Sequence, residues 1–360
     1  MTAEQTFSLT RSDRLGPALV RATGDERWRE HTAALITGGK SNLTFELTSD
    51  AGSLILRRPP TGHLLPRAHD MAREARIQRA LGVTDVPVPG IVLVGDAPGT
   101  LDVPFYVMEK VDGVIPRETL PAGYADSPTD RTALADALIE GLATLHAVDP
   151  ASVGLGEYGR TQEFAARQVR TWTRQWEATR THNVPAMTEL STRLGAQRWA
   201  EPARATIVHG DYRLDNCVFA SDDPRRLVAV LDWELSTLGH PLADLGLLLV
   251  YWIQAGETVP VLTPALTREP GFPDRAQLVD RYAELSDADM TELPAYTALA
   301  HFKFAAIAQG ISARAAGGQM AGQEFGDLDA EVARIAEAGL LALDSTDDPH
   351  RPAPTRTDPH

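Results

Sequence analysis

The strongest constraint on the fold is a change in the spacing of apolar residues along the chain. From residue 34 they recur at every second position, which is the period of a half-buried strand. This pattern predicts strands at residues 35–37, 42–48 and 53–58, with turns at Gly38-Gly39 and before Gly52. Helical spacing follows over 69–82, and the pattern then predicts strands at 91–96 and 104–111. The first third of the chain therefore predicts a small sheet lobe with a helix.

The rest of the chain changes to mainly helical spacing. Ser127 precedes a proline and is a good N-cap for a helix with one apolar stripe, formed by Leu134, Leu138, Leu142 and Leu145. Further helices are predicted over 161–182, 185–200, 274–286 and 292–316, and short strands over 205–208, 217–220 and 227–231. The tail from Asp344 has no apolar period and is rich in Pro and Asp, so we expect it to be disordered.

Composition excludes several classes of function. The 360 residues carry a formal net charge of −15, which argues against a nucleic-acid partner and against an acidic membrane surface. Cys217 is the single cysteine, so an intrachain disulfide framework is excluded. The N-terminus lacks a signal-peptide pattern, and the best apolar run, 245–253, is about half of the ~18 residues that a membrane span needs. We therefore expect a cytoplasmic globular protein.

Two short motifs carry the chemistry. The run HGDYRLDN at 209–216 places Asp211 five residues before Asn216, and LDWE at 231–234 places Asp232 after an apolar strand. Phosphoryl transfer needs a carboxylate to orient the attacking hydroxyl and hard oxygen ligands to hold magnesium. The bland alternative is that Asp211 and Asn216 only cap turns, which these residue types often do. The spacing of all these polar residues favours the phosphoryl-transfer interpretation.

These motifs resemble those of the aminoglycoside phosphotransferase and choline kinase-like family, a branch of the protein-kinase-like fold. ITGGKSNLTFEL at 36–47 is similar to the nucleotide loop of that family, and 56–81 resembles the branch whose kinase-like domain is fused to acyl-CoA dehydrogenases. The resemblance implies an α+β, two-lobed fold, with a small N-terminal antiparallel sheet lobe that has one helix and a larger, mainly helical C-terminal lobe. We expect lobes at 1–111 and 112–343 and a tail at 344–360.

The resemblance also implies roles for individual residues, with ATP and Mg²⁺ as cofactors. Asp211 would be the catalytic base or hydroxyl-orienting residue, and Asn216 and Asp232 would bind magnesium. His209 and Asp244 are expected to brace the loop. Nucleotide binding would involve Gly38, Gly39, Lys40, Ser41, Asn42, Arg57, Glu74, Met108, Glu109 and Val111.

Within the nucleotide set, Arg57 stands where the family usually has a lysine. An arginine keeps the charge and can pair with both a phosphate and Glu74. Arg58 could take this role by a slip of one residue, although its side chain should then face the other side of the strand. Met108 and the backbone of Glu109 and Val111 would contact the adenine.

The acceptor side leaves two interpretations open. Arg167, Arg170 and Arg174 form a basic stripe on the helix predicted over 161–182, beside an aromatic stripe that contains Trp172 and Trp176. The stripe fits an anionic substrate pocket, or it is a packed tryptophan face flanked by solvated arginines. Further candidates without independent support are His63, Arg67, His69, Arg117 and Lys303.

The function expected from these observations is ATP-dependent phosphorylation of a hydroxyl on a small molecule. The branch resemblance suggests a hydroxy-acyl-CoA or a hydroxy acid as acceptor, so a CoA thioester is one expected partner. An aminoglycoside-type antibiotic is the competing substrate class. A catalytically silent, kinase-like binding module is the alternative from another class, and loss of Asp211, Asn216 or Asp232 would favour it; each of them is present.

Overall fold

The computed structural model describes residues 2–36, 42–60, 70–96, 99–202, 204–317 and 326–345. Several predicted features lie outside these ranges: the Gly38-Gly39-Lys40-Ser41 stretch of the nucleotide loop, the candidates His63, Arg67 and His69, and the tail beyond residue 345.

An antiparallel sheet forms the N-terminal lobe, as expected. Helices α1 (Ala3–Thr10) and α2 (Ser12–Thr23) precede it, and its elements are β1 (Thr32–Leu35), β2 (Leu43–Ser49), β3 (Gly52–Arg58), α3 (Met71–Leu81), β4 (Ile91–Gly95) and β5 (Phe105–Glu109). The five strands lie in the order β1-β2-β3-β5-β4. The described lobe thus contains α1 and α2 in addition to the predicted helix α3.

The alternation of side chains along β5 divides the lobe into two apolar clusters. Phe105 and Val107 pack with Leu15 and Leu19 of α2 on one face of the sheet. Tyr106 and Met108 point to the opposite face, which α3 covers. Because side chains in a strand alternate between faces, Tyr106 lies on the same side as α3 and its polar residues.

The C-terminal lobe is mainly helical. Its helices are α4 (Pro128–Ala147), α5 (Phe164–Thr179), α6 (Pro185–Ala196), α7 (Leu242–Tyr251), α8 (Arg275–Leu285), α9 (Leu293–Ala316) and α10 (Leu328–Asp344). Its strands are β6 (Thr206–Val208), β7 (Cys217–Ala220), β8 (Asp223–Val230) and β9 (Thr237–Gly239). Strand β6 pairs with β9, and β7 pairs with β8, so the motif residues 209–216 and 231–234 connect adjacent strand pairs.

Local signals in the sequence explain the central helix of this lobe. The side-chain oxygen of Ser127 accepts a hydrogen bond from the backbone N–H of Asp130 and caps α4 as predicted. The four leucines of the α4 stripe are fully buried in the core. Helix α7 is formed by the longest apolar run, and Asp244 is its single charged residue. Among the described residues, none of the helices has the length and apolar character needed to cross a membrane.

Candidate active site

The loop between β6 and β7 carries Asp211 and is anchored by the His209 side chain. Nδ1 of His209 accepts a hydrogen bond from the backbone N–H of Asp211 (3.2 Å), so the ring donates through Nε2 to the carbonyl of Leu231 (2.9 Å). The N–H of Leu231 donates in turn to the carbonyl of Asn216 (2.8 Å). Both ends of the loop are therefore tied to the residue immediately before Asp232.

Asp244 holds the start of the same loop from helix α7. Its carboxylate accepts hydrogen bonds from the backbone N–H groups of His209 (2.6 Å) and Gly210 (2.8 Å), and His146 Nε2 lies 3.3 Å from it. Complete burial opposes ionisation, but the contact with His146 and the hydrogen bond from the Gly210 N–H lower the pKa of Asp244. The prediction that His209 and Asp244 brace the loop is confirmed.

Asp211 and Asn216 contact each other directly. The Asn216 amide donates to the backbone carbonyl of Asp211 (2.8 Å) and to its carboxylate (3.0 Å). Because the amide nitrogen is used in this way, the side-chain oxygen of Asn216 is the atom that can serve as a metal ligand. Nε of Arg213 lies 3.5 Å from the Asp211 carboxylate and 3.0 Å from that of Asp215. The guanidinium of Arg213 also covers the ring of Tyr251, at 4.6 Å.

Asp232 has an unusual backbone conformation at the end of β8. Its φ of 65° and ψ of 67° lie in the left-handed region, which non-glycine residues rarely adopt. Its carboxylate accepts a hydrogen bond from Nη2 of Arg57 at 3.0 Å. Through this hydrogen bond, the carboxylate of the strained residue is tied to the N-terminal lobe.

Arg57 and Glu74 lie together in the N-terminal lobe. Nη2 of Arg57 is 3.6 Å from the Glu74 carboxylate, whereas Arg58 points away and donates to the carbonyl of Leu9 at 2.8 Å. Of the two arginines considered, Arg57 is thus the one that reaches both Glu74 and Asp232. Burial raises the pKa of Glu74 to about 7, although the charge of Arg57 opposes the shift.

Two polar residues near Glu74, Tyr106 and Glu234, were not predicted from the sequence. The hydroxyl of Tyr106 donates to the Glu74 carboxylate (3.0 Å). The Asn42 amide donates to Glu74 (3.2 Å) and also to the carboxylate of Glu234 in the other lobe (3.1 Å). The alternation of β5, with Tyr106 and Met108 on one face, was the available signal for Tyr106. No comparable local pattern identified Glu234.

The predicted adenine-side residues lie at the end of β5. Met108 is buried and pairs across the sheet with Ile55, while the backbone N–H of Glu109 donates to the carbonyl of Gly90 (2.8 Å). Val111 follows the strand and is partly exposed. The chain then enters the C-terminal lobe near the β-bridge between Val114 and Phe219.

The donor set fits a magnesium ion that is shared with phosphates. Within the described ranges there is no group of three or more His, Cys, Asp or Glu side chains arranged for a metal. The Asn216 side-chain oxygen and the Asp232 carboxylate are hard oxygen ligands, and magnesium is commonly held by one or two carboxylates together with substrate phosphates and water. An all-protein cage is not required for such a site.

A mostly apolar cavity of about 300 Å³ opens beside the loop at Gly210. Its walls include Phe164, Trp172, Leu235, Leu247, Leu299 and Lys303. The Lys303 ammonium donates a hydrogen bond to the carbonyl of Gly210, and it lies 5.6 Å from the centre of the Trp172 ring. Lys303, which had no independent support from sequence, thus lies next to the residue that precedes Asp211.

A basic groove of about 830 Å³ adjoins this cavity. Arg160, Arg167, Arg170 and Arg174 line it, and Gln168, Thr171 and Thr237 line both spaces. Nη1 of Arg167 is buried without a hydrogen-bond partner in the described part of the chain. Burial and the charges of Arg160 and Arg170 lower the pKa of Arg167.

Both interpretations of helix α5 describe part of it. Val169 and Trp176 are buried in the core, as a packed aromatic face requires, while Trp172 borders the cavity. Arg170 pairs with Glu163 at 3.1 Å, and it lines the groove together with the other arginines. Arg117 is exposed and lines a different small pocket beside Arg213, away from this groove.

Comparison with known proteins identifies relatives of this chain. The human acyl-CoA dehydrogenase family member 11 is 37% identical over 322 residues, which make up 88% of this chain and 40% of that protein. The chain therefore spans about two fifths of the length of the curated relatives it matches. The crystal structure of a candidate aminoglycoside phosphotransferase from Ralstonia eutropha has a TM-score of 0.79 and 30% identity, covering 93% of this chain and 98% of that one.

More distant structures share the fold alone. A choline kinase from Cryptosporidium parvum superimposes with a TM-score of 0.63 at 11% identity, covering 92% of this chain and 95% of that one. The family model described as the phosphotransferase enzyme family matches residues 32–299, from the first strand of the sheet to helix α9. With most of its length matched and both lobes accounted for, the chain belongs to the phosphotransferase enzyme family.

Proposed function

We propose that this protein is an ATP-dependent kinase that transfers the γ-phosphoryl group of Mg-ATP to a hydroxyl of a small molecule. The observation that carries the proposal is that Asn216 bonds to Asp211, that His209 and Asn216 tie this loop to Leu231 next to Asp232, and that Arg57 contacts Asp232. This arrangement combines a base, two oxygen ligands and a cation, as phosphoryl transfer requires.

In the proposed reaction, Asp211 orients the acceptor hydroxyl and accepts its proton. A bond forms between the acceptor oxygen and the γ-phosphorus, the bond from that phosphorus to the β–γ bridging oxygen breaks, and ADP leaves. Arg57 pairs with phosphate oxygens, and Glu74 holds its guanidinium in place. Asn216 and Asp232 would hold magnesium, which neutralises phosphate charge when it is bound.

The rest of the nucleotide site follows from the sequence. Backbone amides at Gly38, Gly39, Lys40 and Ser41 would contact the phosphates together with Asn42. Met108 and the backbone of Glu109 and Val111 would contact the adenine. The lobes proposed for these functions are residues 1–111 for nucleotide binding and 112–343 for catalysis and acceptor binding. The buried, free thiol of Cys217 is compatible with a reducing compartment such as the cytoplasm.

The acceptor we favour is a hydroxy acid or a hydroxy-acyl-CoA. Support comes from the apolar cavity beside Gly210, which suits a hydrocarbon chain, and from the adjoining arginine groove, which suits an anion. A cationic aminoglycoside-type acceptor is favoured by the net charge of −15 but would meet these arginines. The arginines beside the cavity are nearer to the reacting groups than the average surface charge is. We therefore favour the anionic acceptor over the cationic one.

The test is ADP release from Mg-ATP with hydroxy acids, hydroxy-acyl-CoAs, aminoglycosides and choline-like alcohols. We expect turnover with the acyl acceptors and none above background with the cationic ones. Turnover with the antibiotics alone would replace the acceptor proposal. Binding of Mg-ATP without turnover on any acceptor would favour the catalytically silent module.

A further inference from the structure

Lys303 lies in an environment that is unusual for a charged side chain. It projects from helix α9 into a cavity whose other named walls are largely apolar, and it is the single basic residue among those that line the cavity. A charged amine in such surroundings is costly unless its hydrogen-bond donors are used. Burial accordingly lowers the pKa of Lys303, while the charges of Asp211 and Asp244 oppose that shift.

Within the part of the chain that the structure describes, the ammonium group has more donors than are used. It carries three N–H bonds. Gly210 accepts one of them through its carbonyl, and the Trp172 ring lies 5.6 Å away as a cation–π partner. The nearby carboxylate of Asp244 is already bonded to the N–H groups of His209 and Gly210. A ligand oxygen inside the cavity could therefore accept a hydrogen bond that the cavity wall does not.

Because of the position of Lys303, a ligand oxygen bound to it would lie near the hydroxyl that reacts. Gly210, which accepts from Lys303, immediately precedes Asp211, the proposed base. An acceptor that bonds to Lys303 would thus have its hydroxyl placed near Asp211 if a few carbon atoms separate the two groups. A second cation in the same place would be repelled by Lys303.

We propose that Lys303 is a specificity-determining residue that binds a carbonyl or carboxylate oxygen of the acceptor and so selects acyl compounds over amines. This inference rests on the proposed function, because it concerns the acceptor of that reaction. The fold alone does not say whether the acceptor is an acyl compound or a cationic amine. In this proposal, the Lys303 side chain makes that distinction.

The experiment is calorimetric binding in the presence of Mg-ADP, with hydroxybutyrate, its CoA thioester and aminobutanol as probes. The wild type is compared with Lys303→Met, which should fold because the cavity is apolar, and with Lys303→Arg, which keeps the charge. Thermal unfolding of each variant monitors the fold. Phosphoryl transfer to the same hydroxyl compounds from Mg-ATP is measured in parallel.

We expect the wild type to bind the acyl probes more tightly than aminobutanol. Lys303→Met should weaken the binding of the acyl probes by about 10- to 100-fold, as expected for the loss of a hydrogen bond to a charged group. It should not weaken the binding of aminobutanol. Lys303→Arg should recover part of the loss.

Equal weakening of all probes in Lys303→Met, or no preference in the wild type, would overturn the inference, because a residue that only braces Gly210 cannot change the ranking of ligands. A Lys303-dependent preference without phosphoryl transfer would support the inference and contradict the proposed function. The two proposals can therefore fail separately.

Discussion

Arg57 is shared between two carboxylates that have different proposed roles. Its Nη2 atom lies 3.6 Å from the carboxylate of Glu74, which is proposed to position it, and 3.0 Å from the carboxylate of Asp232, a proposed metal ligand. A guanidinium can form several directional hydrogen bonds at once, which explains how an arginine can occupy a position where the family usually has lysine. Binding of nucleotide and metal must then loosen the contact with Asp232 while Glu74 keeps the side chain in position.

This sharing predicts the effect of removing Glu74. In Glu74→Ala, Arg57 would keep Asp232 as its remaining carboxylate partner among its described contacts, so the apparent affinity for both nucleotide and magnesium should fall. We expect KM for ATP to rise by about 10-fold or more, the usual consequence of losing a charged hydrogen-bonding partner. Steady-state kinetics at varied ATP and magnesium would measure it. Glu189→Ala, on an exposed helical position, is the control, and equal kinetics of the two variants would mean that Glu74 does not position Arg57.

His240 provides a pH-dependent test of the folded state. Its Nδ1 accepts a hydrogen bond from the N–H of Leu242, and its ring stacks on Tyr296. Burial, with a contribution from His146, lowers the pKa of His240 to about 4. An unfolded histidine titrates near about 6.5, so between these values the unfolded chain binds a proton that the folded chain does not. The contribution to stability is present above about pH 6.5 and is lost as the pH falls towards 4.

We therefore expect His240→Gln to reduce the acid sensitivity of folding. Over this window the single histidine can account for up to about 3 kcal/mol of the fall in unfolding free energy. Urea unfolding of the wild type and of the variant at about pH 7.5 and about pH 4.5 measures the difference. His182→Gln, at a more exposed position, should behave like the wild type. An identical loss of stability in wild type and His240→Gln would exclude the histidine as a cause.

At the scale of elements, the loop from β6 to β7 depends on a close backbone contact at Gly210. This residue has φ of 86°, and a Cβ atom there would lie 2.6 Å from the carbonyl oxygen of Leu235. Gly24 at the end of α2 also has positive φ, at 73°, but a Cβ there would meet no atom within 4 Å. A substitution at Gly24 would therefore introduce backbone strain alone, whereas one at Gly210 would also introduce a steric clash with Leu235.

Gly24→Ala should cost about 1 kcal/mol of stability through its left-handed backbone and leave turnover unchanged. Gly210→Ala should cost more, because the Leu235 backbone must also move, and we expect turnover to fall by about 100-fold as Asp211 shifts. Urea unfolding and turnover measurements on both variants test this pair. Similar effects of the two substitutions would show that the Leu235 contact does not position the loop.

Elements with local signals were predictable from the sequence. The cap at Ser127 and the strand alternation of β2 and β3 identified their elements closely. Strand β8 begins earlier than predicted, because its first residues pair back onto β7 in a tight hairpin. Helix α7 is almost entirely apolar, so its sequence shows no helical periodicity that would identify it. Strand β9 is short and pairs with β6, which is distant in sequence, so no local pattern identifies it.

At the scale of the whole molecule, the candidate site is assembled from side chains distant in sequence. Arg57 meets Asp232, Asn42 meets Glu234, and Arg73 donates to the carbonyl of Ser236 at 3.1 Å. The motifs indicated Asp211, Asn216 and Asp232 because their spacing is local. Strand alternation gives only the face on which Tyr106 lies, and no local pattern assigns a partner to Glu234, because both contacts depend on how distant elements meet.

These contacts predict that Mg-ADP stabilises the chain more than ADP in EDTA does. Ligand at 100 times its Kd contributes about 2.7 kcal/mol, which for a chain of 360 residues corresponds to a rise in Tm of about 4 °C. Asp232→Asn should lose the part of the rise that needs magnesium. Thermal melts of the wild type, Asp232→Asn and the exposed control Asp222→Asn would measure it. A full magnesium-dependent rise in Asp232→Asn would remove Asp232 from the metal site.

The central claim, that Asp211 handles the acceptor proton in a phosphoryl transfer, is tested most directly by the turnover of Asp211→Asn. With the best acceptor, we predict that ADP formation falls by about 10²- to 10⁴-fold, the contribution typical of a general base, while nucleotide affinity stays within a few-fold. Asp222→Asn should keep wild-type turnover, since its carboxylate is exposed. Unchanged turnover in Asp211→Asn would contradict the account.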